Sequence, residues 1–226
     1  MKKPSSTSKS KWTVLITGVN GFLGSHLARA LLNEGAAIHG LTRNPDAPAY
    51  LEWENLSEKI MLHAGDIRDS SALENIFSEN KFTHVFHLAA ESDTWRSAER
   101  PRETFETNVG GTLNVLEFCR TQEEKPCIIF GGSVRVFHYQ PKSGIRTMNG
   151  GGLHAYDASK AMSEMLVGSY LQTYGFPGAI VRNTNLYGEN DLNFRRLVPR
   201  IMEGVFGKMP LSLQGDGSLQ RDFLHV

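Results

Sequence analysis

The chain is poor in cysteine, with only Cys119 and Cys127 among 226 residues. Two cysteines without metal-ligand spacing exclude a disulfide-stapled scaffold and a cysteine-based metal site, and they suit reduced thiols in a cytoplasmic protein. No apolar run approaches the ~20 residues needed to span a bilayer. Residues 1–10 are basic and serine-rich but lack the apolar core of a secretory signal, so they read as a disordered tail. Neither sign of charge is in excess: 24 Lys and Arg balance 24 Asp and Glu. No global field therefore draws the chain to nucleic acid or to a membrane surface. Internal repeats are absent, and so is low-complexity sequence beyond the first ten residues. The 40% hydrophobic and 21% charged fractions leave the class of soluble globular proteins, with length for one substantial core or one domain plus a small attachment.

What is present starts at residues 17–27, T-G-V-N-G-F-L-G-S-H-L. An apolar run over 12–16 leads into this stretch and an amphipathic segment over 22–33 leads out, predicting strand, glycine turn and helix. Gly18 can take a tight turn with positive φ. Gly21 lacks a Cβ that would keep a pyrophosphate from the backbone, and Gly24 lets the helix lie close on the strand. The free N–H groups and partial positive charge of the helix start suit phosphates. The spacing G-x-x-G-x-x-G is one position from the commoner G-x-G-x-x-G.

Further strands are expected at 36–42, 60–64, 82–88, 127–130 and 179–182. Helices are expected at 22–35, 50–59, 101–120 and 156–174, and another from Ser71, where Ser71-Ala72-Leu73-Glu74 reads as a capping box. Residues 89–100 and the glycine-rich 140–153 read as loops, 192–206 as a helix and 223–226 as a final strand. Strands alternating with helices predict an α/β fold with a doubly wound parallel sheet. The dinucleotide-binding domain is expected over 11–183. A small, partial substrate region is expected over 184–226, its last strand returning to the sheet.

In such a sheet, ligands sit beyond the carboxyl ends of the strands. The first strand delivers Gly18, Asn20, Gly21, Phe22, Leu23 and Gly24 there. The second delivers Arg43, where an NAD site carries an acid for the ribose 2′-OH. A guanidinium suits a 2′-phosphate instead, so NADP is preferred over NAD. The third delivers Asp66, able to accept from an adenine amino group. Tyr156 and Lys160, four residues apart, share one helix face. A neighbouring ammonium lowers a phenol's pKa from about 10, which lets Tyr156 act as acid or base, with Ser133 aligned on the same substrate oxygen.

Taken in order, these motifs resemble the extended short-chain dehydrogenase/reductases, specifically the NAD(P)-dependent nucleotide-sugar epimerase/dehydratase family, over nearly all of residues 12–226. The resemblance implies a Rossmann fold and a catalytic set of Ser133, Tyr156 and Lys160. It implies an adenine contact at Gly65-Asp66-Ile67, and a cofactor wall at Phe86-His87-Leu88-Ala89-Ala90. A structural asparagine, Asn108, joins the cofactor site. Asn185 and Arg221 would hold the substrate diphosphate, Arg221 following Gly215-Asp216-Gly217; an arginine fork matches phosphate oxygens. The implied activity is that of an NAD(P)-dependent 4-epimerase or 4-keto-reductase moving a hydride at a sugar ring carbon. A homodimer is implied, through helices 101–120 and 156–174, with no nucleic-acid, membrane or metal partner.

Four departures stand out. The family's S-S-x-x-V-Y-G after the fifth strand is here Gly132-Ser133-Val134-Arg135-Val136-Phe137-His138. The acid–base pair of the sugar 4,6-dehydratases falls on Val134 and Arg135, neither of which can eliminate water, and this marks the dehydratase reading down. Asn149-Gly150-Gly151-Gly152 replaces a proline-rich pattern. Family members also continue beyond residue 226, so the substrate region reads as truncated or minimal. The alternatives are a non-catalytic NAD(P)-binding sensor or scaffold and a reductase of non-sugar carbonyls, against which Asn185 and Arg221 weigh.

Overall fold

The structure is a computed structural model that describes residues 12–45, 50–139, 146–148, 154–207, 216, 218 and 220–226. The expected tail over 1–10, most of the 140–153 loop including Asn149 to Gly152, and Gly215 and Gly217 lie outside the described residues. Along the chain, β1 (Thr13–Thr17), α1 (Phe22–Asn33), β2 (Ala37–Thr42), a 3₁₀ segment (Trp53–Glu58), β3 (Met61–Ala64), α2 (Ser70–Glu79) and β4 (His84–His87) build the first half. Then come α3 (Thr94–Glu99), α4 (Pro101–Phe105), a π turn (Glu106–Gly110), α5 (Gly111–Arg120), β5 (Cys127–Ser133) and a 3₁₀ turn (Val134–Val136). The remainder is β6 (Phe137–Tyr139), β7 (Arg146–Met148), α6 (Ala155–Tyr174), β8 (Gly178–Asn183), β9 (Asn185–Tyr187), α7 (Leu197–Gly207) and β10 (Phe223–His225).

Successive β1 side chains point to opposite faces and enter two different cores. Val14 and Ile16 pack with Val19, Ala28 and Ile38 on the α1 side. Leu15 packs with Leu41, Phe77, Val85 and Leu116 on the side of α2 and α5. A strand buried on both faces belongs in the middle of a parallel sheet. Among the described residues six strands form that sheet in the order β3-β2-β1-β4-β5-β8, all pairs parallel. The order reverses between β1 and β4, which opens a crevice at their carboxyl ends. The doubly wound α/β fold is thus the one expected.

Local differences have local causes. The start of α2 is capped by Asp69, whose carboxylate accepts from the Ser71 amide at 3.0 Å, not by the Ser71–Glu74 box. Within the expected 89–100 loop, Asp93 accepts from the amides of Trp95 and Arg96 and so starts α3. The 101–120 helix is interrupted by the π turn, within which Thr107 and Asn108 are buried. β5 runs on through Gly131 and Gly132 to Ser133, because β8 pairs with it as far as Asn183. The last strand does not return to the main sheet: β10 pairs with β9 in a separate two-stranded ribbon. Thr184 and Asn185 hold it there, both donating to the Asp222 carbonyl, at 2.8 and 3.0 Å.

Candidate active site

At the first βα turn Gly18 has φ +74°, a conformation that suits glycine. A Cβ at Gly18 would lie 2.9 Å from the Ala89 backbone, and one at Gly24 would lie 2.3 Å from the Gly18 carbonyl oxygen. No side chain fits either position, so the backbone at Gly18 and Gly24 stays bare. The N-cap of α1, Gly21, makes no side-chain cap bond, and the first turn of the helix carries no acid. Its leading N–H groups and positive end therefore face the crevice uncompensated, as a pyrophosphate requires. The residues fit a dinucleotide.

The turn is fixed from below. The Thr17 hydroxyl lies 2.7 Å from His87 Nδ1, and His87 Nε2 lies 2.9 Å from the Thr112 hydroxyl. Thr112 donates onward to the Asn108 carbonyl, so His87 donates through Nε2 and accepts at Nδ1. Thr17 Oγ1 also accepts from the amides of Leu88 and Ala89, both at 3.2 Å, which seats the 88–90 wall against the glycine turn. Burial, with Lys160 adding to it, pushes the His87 pKa down to about 3, so the ring is neutral.

Across the crevice, β5 ends at Ser133 and the first turns of α6 present Tyr156 and Lys160. Ser133 stands beside Tyr156 and acts to lower its pKa, and the Ser133 Oγ accepts from the Arg135 amide at 3.2 Å. Lys160 is only 5% exposed. Its ammonium donates to the Gly131 carbonyl at 2.6 Å and sits 4.3 Å from the centre of the Phe130 ring. Burial lowers its pKa to about 8, against the opposing pull of Glu164. The phenol of Tyr156 behaves differently from the sequence expectation. Burial raises its pKa, the neighbouring Ser133 opposes this, and Arg135 and Arg196 also lower it. The Lys160 ammonium is engaged by the Gly131 carbonyl.

One crevice of about 1460 Å³ is lined by the glycine turn, Arg43, Asp66, Ile67, Leu88, Ala89, Ala90, Ser133, Tyr156, Lys160, Asn185 and Arg221. Asn108 is the exception. It is 1% exposed, its Oδ1 accepts from the Glu91 amide at 2.7 Å, and its Nδ2 donates to the Glu91 carbonyl and to Ser159 Oγ. With both amide hydrogens used, Asn108 ties the 89–91 loop to α6 and does not line the crevice. Asp66 is also engaged: Arg68 Nε and Nη2 donate to its two oxygens at 3.0 and 2.7 Å, which holds its carboxyl below the usual range.

Sequence reasoning missed a set of charged pairs around the site. Arg135 binds Asp157, Arg182 binds Glu164, and Arg195 binds Asp93. Arg196 binds Asp191 and lies 5.4 Å from the centre of the Phe22 ring. Only the Arg135–Asp157 pair left a readable trace, as neighbours of the two catalytic motifs.

A parallel sheet of this order with a glycine turn at its switch point, closed to any side chain at Gly18 and Gly24, defines a dinucleotide-binding, Rossmann-type protein. Residues 14–226 match the model of the NAD dependent epimerase/dehydratase family, and the chain belongs to that family. It is 31% identical over 227 residues to a UDP-glucuronate 4-epimerase of Thermodesulfobacterium geofontis, covering 94% of this chain and 67% of the relative. It is 33% identical to a dTDP-glucose 4,6-dehydratase of Haemophilus influenzae, with the same 94% and 67% coverage. The Thermus thermophilus UDP-glucose 4-epimerase in complex with NAD superposes with a TM-score of 0.78 at 30% identity, covering 94% of this chain and 70% of that one. Against a UDP-glucuronate 4-epimerase of Arabidopsis thaliana the chain spans about half the relative's length, 52%. Among the described residues no helix is long and apolar enough to cross a membrane.

Proposed function

We propose that the chain carries the catalytic residues of an NAD(P)-dependent enzyme that acts on a nucleotide-linked sugar, as a 4-epimerase or a 4-keto-reductase. Residues 11–183 bind the dinucleotide and residues 184–226 contribute part of the substrate region. The observation that carries this reading is the convergence of Ser133, Tyr156 and Lys160 on the crevice above the glycine turn. A bound nicotinamide supplies hydride exchange at a sugar ring carbon. Everything else falls to the chain. The amides of the α1 N-terminus hold the pyrophosphate. Tyr156 exchanges a proton with the sugar oxygen, Ser133 aligns that oxygen, and buried Lys160 binds the nicotinamide ribose. Asn185 and Arg221 take the substrate diphosphate. The names of the similar epimerases favour epimerisation over net reduction.

Arg43, at the carboxyl end of β2 with no acid in its place, supports NADP over NAD. Leu113 on α5 and Met162 and Met165 on α6 are 39%, 48% and 67% exposed, which supports a homodimer packed through these two helices. The test is Tyr156→Phe. Turnover of a nucleotide sugar should fall by about a hundredfold or more, the usual worth of a general acid–base. Dissociation constants for NADPH and NADH should stay within twofold of the parent, with NADPH the tighter. Unchanged turnover would refute the assignment of Tyr156, and tighter NADH binding the preference for NADP.

A further inference from the structure

The crevice contains a cation that this reading leaves unused. Arg135 lies two residues past Ser133, its guanidinium carbon 6.0 Å from the centre of the Tyr156 ring. It lines the crevice, and its side chain is 43% exposed. Its Nε and Nη2 donate to the two oxygens of Asp157 at 2.6 and 3.1 Å, and the Asp157 side chain is only 3% exposed. That pairing consumes one edge of the guanidinium and fixes its plane. A guanidinium carries five N–H donors in a rigid fork. The opposite edge, Nη1 with the second Nη2 hydrogen, has no hydrogen-bond partner among the described residues. Since the paired edge lies against a buried carboxylate, the open edge is the accessible one.

The chemistry of that edge is selective. Two parallel N–H donors match the two oxygens of a planar carboxylate, whereas a neutral hydroxymethyl group can use only one of them. Arg135 stands beside the phenol at the reacting end of the site, while Asn185 and Arg221 lie on and beside the β9–β10 ribbon. Asp157 cancels the net charge of Arg135 at a distance, so selectivity comes from a preorganised hydrogen-bonding fork and not from long-range attraction. We infer that Arg135 recognises a carboxylate on the sugar ring, which makes nucleotide-linked uronates the preferred substrates over neutral nucleotide hexoses. The inference rests on the nucleotide-sugar reading above.

The test is calorimetric binding of UDP-glucuronate and UDP-glucose to the full chain saturated with NADP. A bidentate charged pair corresponds to a preference for UDP-glucuronate of about tenfold or more. Arg135→Gln should bring the ratio of the two dissociation constants close to one. Arg135→Lys keeps a cation against Asp157 and so preserves the fold, but it has no fork, and it should recover only part of the ratio. Equal affinities in the parent protein, or a ratio that survives Arg135→Lys intact, would overturn the inference while leaving the nucleotide-sugar reading in place. Failure of both ligands to bind the parent would overturn that reading, and the inference with it.

Discussion

Acid should destabilise this protein through one buried ring. His87 is 2% exposed and sits between the hydroxyls of Thr17 and Thr112, directly beneath the glycine turn. Desolvation, and secondly Lys160, lowers its pKa to about 3, from 6.5. In the unfolded chain the ring takes up a proton as the pH falls through about 6.5, while in the folded chain it waits until about 3. Between those values the unfolded state holds the extra proton, so stability falls as the pH drops. By pH 5 the unfolded ring is protonated about thirtyfold over neutral, which costs about 2 kcal/mol of stability relative to pH 7. The loss reaches about 4 kcal/mol near pH 3.

Urea unfolding followed by circular dichroism at pH 7, 6 and 5, on the parent and on His87→Gln, isolates this loss. Glutamine can still bridge a donor and an acceptor but does not titrate. The variant should cost about 1 kcal/mol at pH 7 through imperfect hydrogen bonding. Between pH 7 and pH 5 the parent should then lose about 2 kcal/mol more than the variant. His39 and His63, stacked with Nδ1 and Nε2 2.9 Å apart, are also held below their ordinary pKa by burial. They are present in both proteins, so their share cancels. Parallel pH dependences in the two proteins would refute the assignment of a neutral, hydrogen-bonded His87.

The glycine turn, the alternation of strand and helix, and the Tyr156–Lys160 spacing were legible because each is a local rule of backbone or side-chain period. They sufficed for the sheet and for its crevice. Burial by distant segments was not legible. Nothing local shows that Lys160 would be drawn onto the Gly131 carbonyl, and a chain read residue by residue assigns its ammonium to the nearest phenol. Asn108, which the resemblance names as structural and places at the cofactor site, spends its amide on tying the 89–91 loop to α6, a pairing of distant segments that no local rule shows. The 89–100 segment looked irregular because an isolated helix of one or two turns has almost no periodic signal. Asp93, the residue that starts it, is as common in loops as at helix caps. The final strand was misread because three residues of alternation do not specify a partner. Its pairing with β9 is set by Thr184 and Asn185 gripping the Asp222 carbonyl.

Two further predictions concern the frame around the site. Gly24→Ala places a methyl group 2.3 Å from the Gly18 carbonyl oxygen and 2.9 Å from Val19 Cα, both backbone atoms that cannot rotate away. It should lower the melting temperature and weaken dinucleotide binding together; a variant that binds NADH with parental affinity would contradict the turn geometry. The other concerns Glu164, whose side chain is 2% exposed and whose oxygens accept from Arg182 Nε at 2.9 and 3.1 Å. Arg182 itself is 38% exposed and stacks 4.9 Å from the centre of the Phe137 ring. Arg182→Met keeps much of that packing but strands a carboxylate in the interior, and it should cost about 3–5 kcal/mol in urea unfolding. If the cost comes from the stranded charge and not from the lost bond, then adding Glu164→Gln should recover most of it. The double variant should be more stable than Arg182→Met alone, with a coupling of at least about 2 kcal/mol. Additive losses in that cycle would mean that the Glu164 carboxylate is reached by solvent once Arg182 is gone, and that its pairing with Arg182 contributes little to holding α6 against β8.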